Sequence, residues 1–356
     1  MAFNTAIAHL PDGNHLSYMD SGPVKGTSAY TSVIMLHGTG FNGHVFEPLH
    51  DLAAQYRLRI FAVNRKGYTG SSNYSDAELD DIRNGKPAVF DRSAILVGHF
   101  IEHLVRKYDL PEPDAGRTKG GVVLLGWSMG CATVISFLGN RKFIPSEQYD
   151  FLRRYMTKLV FYDPPYSAFG FDGLSGKGTP YIMFGNTLEE HYTKFKGWAS
   201  ANFDHPLDWD GNPAKLASQP STTTPSTTDS WTTELSKKIF QPQSAILHEW
   251  PQVAEPMQNA LRQVTERALF DEACVKSTFP EVPVAHIVCW KSAPLPLWAY
   301  QTMKTLYEKR RTNGEFTRPL SFIIAKDVNH FWHWESPREF LQCLAAAVQG
   351  NSSIVP

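Results

Sequence analysis

The stretch Gly121-Val122-Val123-Leu124-Leu125-Gly126-Trp127-Ser128-Met129-Gly130-Cys131-Ala132-Thr133-Val134-Ile135-Ser136-Phe137-Leu138 decides how this chain folds. Its first five residues are an apolar, β-branched run of the kind that forms a buried strand, and its last eight suit a buried helix. Between them stands Gly-x-Ser-x-Gly, the spacing of a nucleophile elbow, in which a strand turns sharply into a helix. Such a turn needs small residues at Gly126 and Gly130, where the two backbones nearly touch. It lifts Ser128 Oγ clear of the sheet and aims the Met129 N–H, at the helix start, at the place where an oxyanion would form. The pentapeptide alone is a weak signal; a strand before it and a helix after it make it a specific one.

Outward from the elbow, apolar runs alternate with helical patterns. Upstream, Asn14 to Asp20 reads as an edge strand after the turn Pro11-Asp12-Gly13. Ser32–Leu36 reads as a strand emptying into His37-Gly38-Thr39-Gly40-Phe41-Asn42-Gly43, then a short helix over Val45–Gln55. Arg59–Val63 is a further strand, followed by Asn64-Arg65-Lys66-Gly67-Tyr68-Thr69-Gly70-Ser71 and a helix opened by Asp91. Downstream, Tyr149–Met156 reads as a short helix and Lys158–Tyr162 as a strand that must stop at Asp163-Pro164-Pro165, since proline cannot donate to a ladder. Val282–Cys289 and Leu320–Ile324 are the remaining strands, with helices over Leu297–Lys309 and Pro337–Gln349. Strands alternating with helices call for a doubly wound, mostly parallel sheet of the α/β class.

From about Pro164 to Pro280 the strand runs vanish, and helical patterns recur over Leu188–Trp198, Thr232–Phe240 and Val253–Ala273. This reads as an inserted, mainly helical cap (164–280) that splits the core into 1–163 and 281–356. Within it, Ser218–Ser230 is low in complexity and reads as mobile.

A length of 356 residues with 42% hydrophobic content suits one large core plus an insertion. Net charge is −1 with no basic block, which argues against a nucleic-acid partner. No apolar run approaches the twenty residues of a membrane-spanning helix. The start of the chain has no charged leader before an apolar run, so a cytoplasmic location is expected. The four cysteines lie far apart; Cys131, Cys289 and Cys343 read as small buried hydrophobes. His99 and His103 sit four apart on one helix, but without an acidic or thiol partner they read as a helix face, and no metal is expected. The glycine-rich loops match no phosphate or dinucleotide motif, so no cofactor is expected. Nothing in the sequence reports oligomeric state.

His37-Gly38-Thr39-Gly40, the loop Asn64–Ser71, the elbow, and Asn329-His330-Phe331 before the last helix stand in an order that resembles the α/β-hydrolase superfamily, in its esterase- and lipase-like serine hydrolases with a cap. The resemblance spans about residues 14–349, the cap matching only in position. It implies Ser128 as nucleophile, His330 as general base, and an oxyanion hole from the N–H groups of Thr39 and Met129. The chain departs from the common pattern at the acid: after Ile287-Val288-Cys289 comes Trp290-Lys291-Ser292-Ala293-Pro294-Leu295-Pro296-Leu297-Trp298, with no carboxylate. Some members place the acid one strand earlier, where this chain has Asp163, at the C-terminal end of a parallel strand. Asp163 is therefore the assigned acid, against a plain turn-starting Asp before Pro-Pro; Asp327 is the next candidate.

The implied chemistry is hydrolysis of a carboxylic ester, lactone or thioester through an acyl-enzyme on Ser128. The substrate would be a small molecule, fairly large and apolar, with Phe41, Trp127 and Phe331 as candidate pocket walls against the plainer reading of core packing. The same triad also serves acyltransferases, cyclases, C–C hydrolases and epimerases, and cofactor-free peroxide chemistry. A catalytically weak ligand-binding protein is the alternative from another class, with the missing acid after the cap as its support. His37 reads as a loop-stabilising residue rather than a catalyst, His333 as a packing residue, and Arg65 and Lys66 as parts of a structural turn.

Overall fold

The computed structural model describes residues 4–27, 29–174 and 184–349. The chain ends read above and residues 175–183 of the expected cap lie outside them. Eight strands form one sheet: β1 (Asn4–His9), β2 (His15–Asp20), β3 (Thr31–Leu36), β4 (Leu58–Val63), β5 (Val122–Trp127), β6 (Met156–Tyr162), β7 (Val284–Cys289) and β8 (Leu320–Ala325), in the order β1-β2-β4-β3-β5-β6-β7-β8. β3 through β8 pair in parallel, while β1 and β2 form an antiparallel hairpin at one edge. The edge strand is thus β1 rather than β2. The turn at Pro11-Asp12-Gly13 folds Asn4–His9 back onto His15–Asp20, with His9 opposite His15.

The elbow strand β5 is central, between β3 and β6, and fully buried. A strand covered on both faces needs an unbroken apolar run, which is what Val122–Leu125 supplies. Helices cover the sheet: α1 (Glu47–Ala53), α2 (Asp76–Arg83), α3 (Ala88–Tyr108), α4 (Gly130–Gly139) and α5 (Ser146–Tyr155) precede or follow the central strands. The helix expected from Asp91 starts a turn earlier, and α2, with its Ser75/Glu78 capping box, went unread. α4 is apolar all round and buried, as a helix held between sheet and neighbours must be.

Between Tyr162 and Val284 none of the described residues joins the sheet. This segment carries α6 (Leu188–Ala199), α7 (Thr233–Ile239), α8 (Pro242–Ser244), a π-helical turn Ala245–Glu249, α9 (Met257–Leu269) and α10 (Glu272–Ser277). Its end is tied to the strand side by buried Arg318, whose guanidinium donates to the carbonyls of Ala268, Thr278 and Phe279 at 2.7–2.9 Å. The core closes with α11 (Pro294–Thr312), α12 (Trp332–Glu335) and α13 (Pro337–Gln349).

Ser218–Ser230, expected to be mobile, is pinned. Ser221 and Thr227 N–H donate to the carbonyls of Asn202 and Ser200. Thr227 Oγ1 bonds Glu335 Oε1 at 2.5 Å and accepts from Asn329 Nδ2 at 3.1 Å. Low complexity limits apolar burial, but hydroxyls still find specific acceptors when the surrounding fold supplies them. Among the described residues no helix is long and apolar enough to cross a membrane, and no His/Cys/Asp/Glu group could hold a metal ion.

Candidate active site

Because β3 to β8 run parallel, the loops after them gather at one edge of the sheet, where ligand sites of open α/β sheets lie. Gly126 and Gly130 make the elbow possible: a Cβ on Gly126 would meet the Cys131 nitrogen at 2.6 Å, and one on Gly130 the Leu36 carbonyl at 2.3 Å. Ser128 itself sits at φ +54°, in the left-handed region that costs a non-glycine residue about 1–2 kcal/mol. Its N–H donates to Tyr162 O at 2.9 Å, which holds the turn against β6.

Asp163 is the next residue on that neighbouring strand, also in the left-handed region (φ +50°), with its N–H on Ile287 O at 2.8 Å. Its carboxylate is wholly buried and accepts three hydrogen bonds. Cys289 N–H donates to Oδ1 at 2.8 Å; Ser292 Oγ and His330 Nδ1 each lie 2.5 Å from Oδ2. A buried carboxylate is tolerable only with such donors. Asp327, by contrast, has its side chain 89% exposed beside Lys291. The acid-free loop after β7 therefore reaches the acid after all, through Ser292, a residue that sequence reasoning passed over.

His330 is held from its other side by Trp127, whose Nε1–H donates to the His330 carbonyl at 3.0 Å and whose ring lies 4.8 Å from the imidazole. Asn329 Oδ1 accepts from Phe331 N–H at 2.8 Å, while its amide donates to Ser200 O and Thr227 Oγ1. Two stretches of the 164–280 segment thus anchor the histidine loop.

The loop after β3 packs on the serine: a Cβ on Gly38 would lie 2.7 Å from Ser128 Cβ. Among the described residues the N–H groups of Thr39 and Met129 donate to no other group. His37 holds the loop, as expected. Its Nδ1–H donates to Gly38 O at 2.9 Å and its Nε2 accepts from Arg65 N–H at 3.0 Å, so one neutral tautomer satisfies both. Burial, then the Arg65 charge, push its pKa well below the ordinary imidazole value.

The larger surprise is an ionic network beside this loop. Glu249, almost fully buried on the π-helical turn, pairs with Arg65 and accepts from Tyr68 Oη at 2.7 Å and from Gly40 N–H at 3.2 Å. Burial opposes the Arg65 charge, but Glu249 beside it keeps the guanidinium above its ordinary pKa. Burial and the same carboxylate push the Tyr68 phenol well up. Arg65 is more than part of a turn: it joins core to insertion. Nothing local in the sequence marks Glu249, an acidic residue in an otherwise ordinary helical stretch.

Phe41, Trp127 and Phe331, the expected pocket walls, are no more than 2% exposed and pack on one another at 5.1–5.6 Å between ring centroids. They form core, as their plainer reading had it, because each ring is packed against the other two. His333 is buried among them, its Nδ1 3.1 Å from Tyr162 Oη. His99 and His103 are half-buried on α3. Cys131, Cys289 and Cys343 are buried free thiols.

With this geometry in view, the comparisons with known proteins are consistent. The model of the alpha/beta hydrolase family matches residues 33–342, most of the chain, and the protein belongs to that family. No curated protein matches it in sequence. Solved structures share the fold across nearly their whole length. The N-acyl homoserine lactonase AidH has a TM-score of 0.52 at 12% identity, with 100% of this chain and 99% of that one covered. The esterase RhEst1 from Rhodococcus sp. ECU1013 has 0.50 at 14%, covering 99% and 100%. A Vigna radiata epoxide hydrolase has 0.50 at 10%, covering 98% and 99%. At such identities the likeness is one of fold.

Proposed function

We propose that this protein is a serine hydrolase that cleaves a carboxylic ester, lactone or thioester, with 164–280 as its cap. The observation that carries the reading is the 2.5 Å contact between His330 Nδ1 and buried Asp163, beside an elbow that presents Ser128. Asp163 fixes the imidazole with Nδ1 protonated, which leaves Nε2 as the base. Ser128 Oγ attacks the carbonyl and gives its proton to Nε2. The alkoxide rests on the Thr39 and Met129 N–H groups, preorganised donors that need no rearrangement. Collapse expels the alcohol or thiol, which takes the proton from His330. Water then repeats the sequence on the acyl-enzyme.

Epoxide hydrolysis and dehalogenation on this fold use a carboxylate nucleophile, whereas this chain has Ser128 in that slot. The binding-protein alternative rested on the carboxylate missing after β7, and the contact of Asp163 with His330 speaks against it. The test is intact mass after exposure to a small fluorophosphonate. One adduct on the wild type, absent from Ser128→Ala, is expected; an unmodified, folded wild type overturns the reading.

A further inference from the structure

The walls expected from sequence are filled, but space opens on the other side of Met129. A small cavity of about 40 Å³ is lined by Met129 and Ala132 of the elbow and by Glu249 and Gln252 of the insertion. A larger one, about 310 Å³, runs between α3 and the β2–β3 side of the sheet. The two share Arg65, Tyr74, Val89, Ser93 and Thr133 as lining residues, so they adjoin along α4, one turn beyond Met129. The larger is in the size range of small-molecule sites.

We propose that this paired cavity is the subsite for an unbranched apolar chain of the substrate, entered past Met129; it rests on the reading of Ser128 as nucleophile. Leu16, Leu36, Ile82, Val89, Leu96 and Val97 supply apolar walls. Most charges around it are matched: Lys66 with Glu78, Arg92 with Asp81, and Arg65 with Glu249, while exposed Asp12 accepts from Asn14 and lies 3.9 Å from His99. No unmatched charge among these calls for an ionised ligand. One polar feature stands open: Arg65 Nε is a buried donor without a partner among the described residues, and Arg65 lines both cavities. A buried unsatisfied donor is costly, and a neutral acceptor on the chain, such as an ester oxygen, satisfies it.

The chain can belong to the acyl group or to the alcohol, and the experiment separates them. Ser93, half-buried on α3 and lining both cavities, is changed to Phe, with Ser93→Leu as a milder partner. The first readout is the labelling rate by ethyl- and decyl-bearing fluorophosphonates, in which the Ser128 Oγ–P bond forms, fluoride leaves and His330 takes the serine proton. The wild type should favour the decyl probe. In Ser93→Phe that preference should fall about tenfold, the effect of excluding roughly two methylenes, and less in Ser93→Leu. Hydrolysis of 4-nitrophenyl decanoate and of decyl acetate gives the second readout. Loss confined to the first places an acyl chain in the cavity, and loss confined to the second an alcohol chain. Labelling of both probes at rates that ignore chain length and the Ser93 variants overturns the subsite alone. No adduct with either probe overturns the reading of Ser128 and the subsite with it.

Discussion

On one side of the serine turn, Trp127 lies against Phe41, Phe46, Phe331 and His330 with ring centroids 4.8–6.1 Å apart, and the space between them is filled. On the other side lie an ionic network, two adjoining cavities and a residue of the insertion, Glu249, bonded into the loop after β3. The filled side positions His330 by packing and one indole hydrogen bond. The open side ties the loop after β3 by charge and encloses the two cavities. Rigidity and space are thus divided between the flanks.

The largest effect should come from the buried carboxylate that His330 contacts. Asp163→Asn is expected to lower kcat about ten-thousandfold, as loss of the correct imidazole tautomer does elsewhere, with KM little changed. Steady-state kinetics on a responsive ester checks this, and an unchanged rate would sink the assignment of the acid.

A second experiment sets the flanks against each other. Phe331→Ala should cost about 3–5 kcal/mol through a core cavity. Glu249→Gln should cost a similar amount by another route, leaving the Arg65 charge buried without its partner. Adding Arg65→Met should recover most of the loss in Glu249→Gln and none in Phe331→Ala. Urea unfolding measures all four variants; recovery in both, or in neither, would erase the distinction.

Each flank also hides a neutral imidazole. Burial pushes the His248 pKa down to about 4 and that of His333 well below its ordinary value. Such rings take up a proton on unfolding once the pH is below about 6.5, but not while folded. The unfolded state then binds more protons, so stability is full above pH 6.5 and declines as the pH falls toward 4. The urea midpoint should therefore drop between pH 8 and pH 5. His248→Gln should shrink that drop by about 2 kcal/mol, and an identical drop in the variant would count against a buried neutral ring.

The smallest expected effect is at Ser292. Ser292→Ala removes one of three donors to Asp163 and should lower kcat roughly tenfold with KM little changed. Steady-state kinetics checks this, and a loss confined to KM would count against a role in holding the carboxylate.

Much of the site was legible because its signals are local. The elbow needs glycine where strand and helix backbones meet, and an apolar run must precede it. His330 stands before the last helix, and Asp163 ends a strand at a proline pair. What escaped the sequence was non-local. Ser292 sits 129 residues from the acid it touches, and Glu249 184 residues from Arg65. Thr227 holds the histidine loop from within a stretch whose composition suggested motion. Neither periodicity nor propensity carries such pairings. The aromatics beside the landmarks misled for the same reason: adjacency in sequence does not say which way a ring points once the strand is placed.

The sequence by itself determined the sheet, the turn and the residue types that can do the chemistry, because backbone sterics and apolar periodicity act over a few residues. Only the tertiary structure decided which side of the turn is solid and which is open. It also decided what secures the acid, because these depend on loops brought together at the sheet edge from distant parts of the chain.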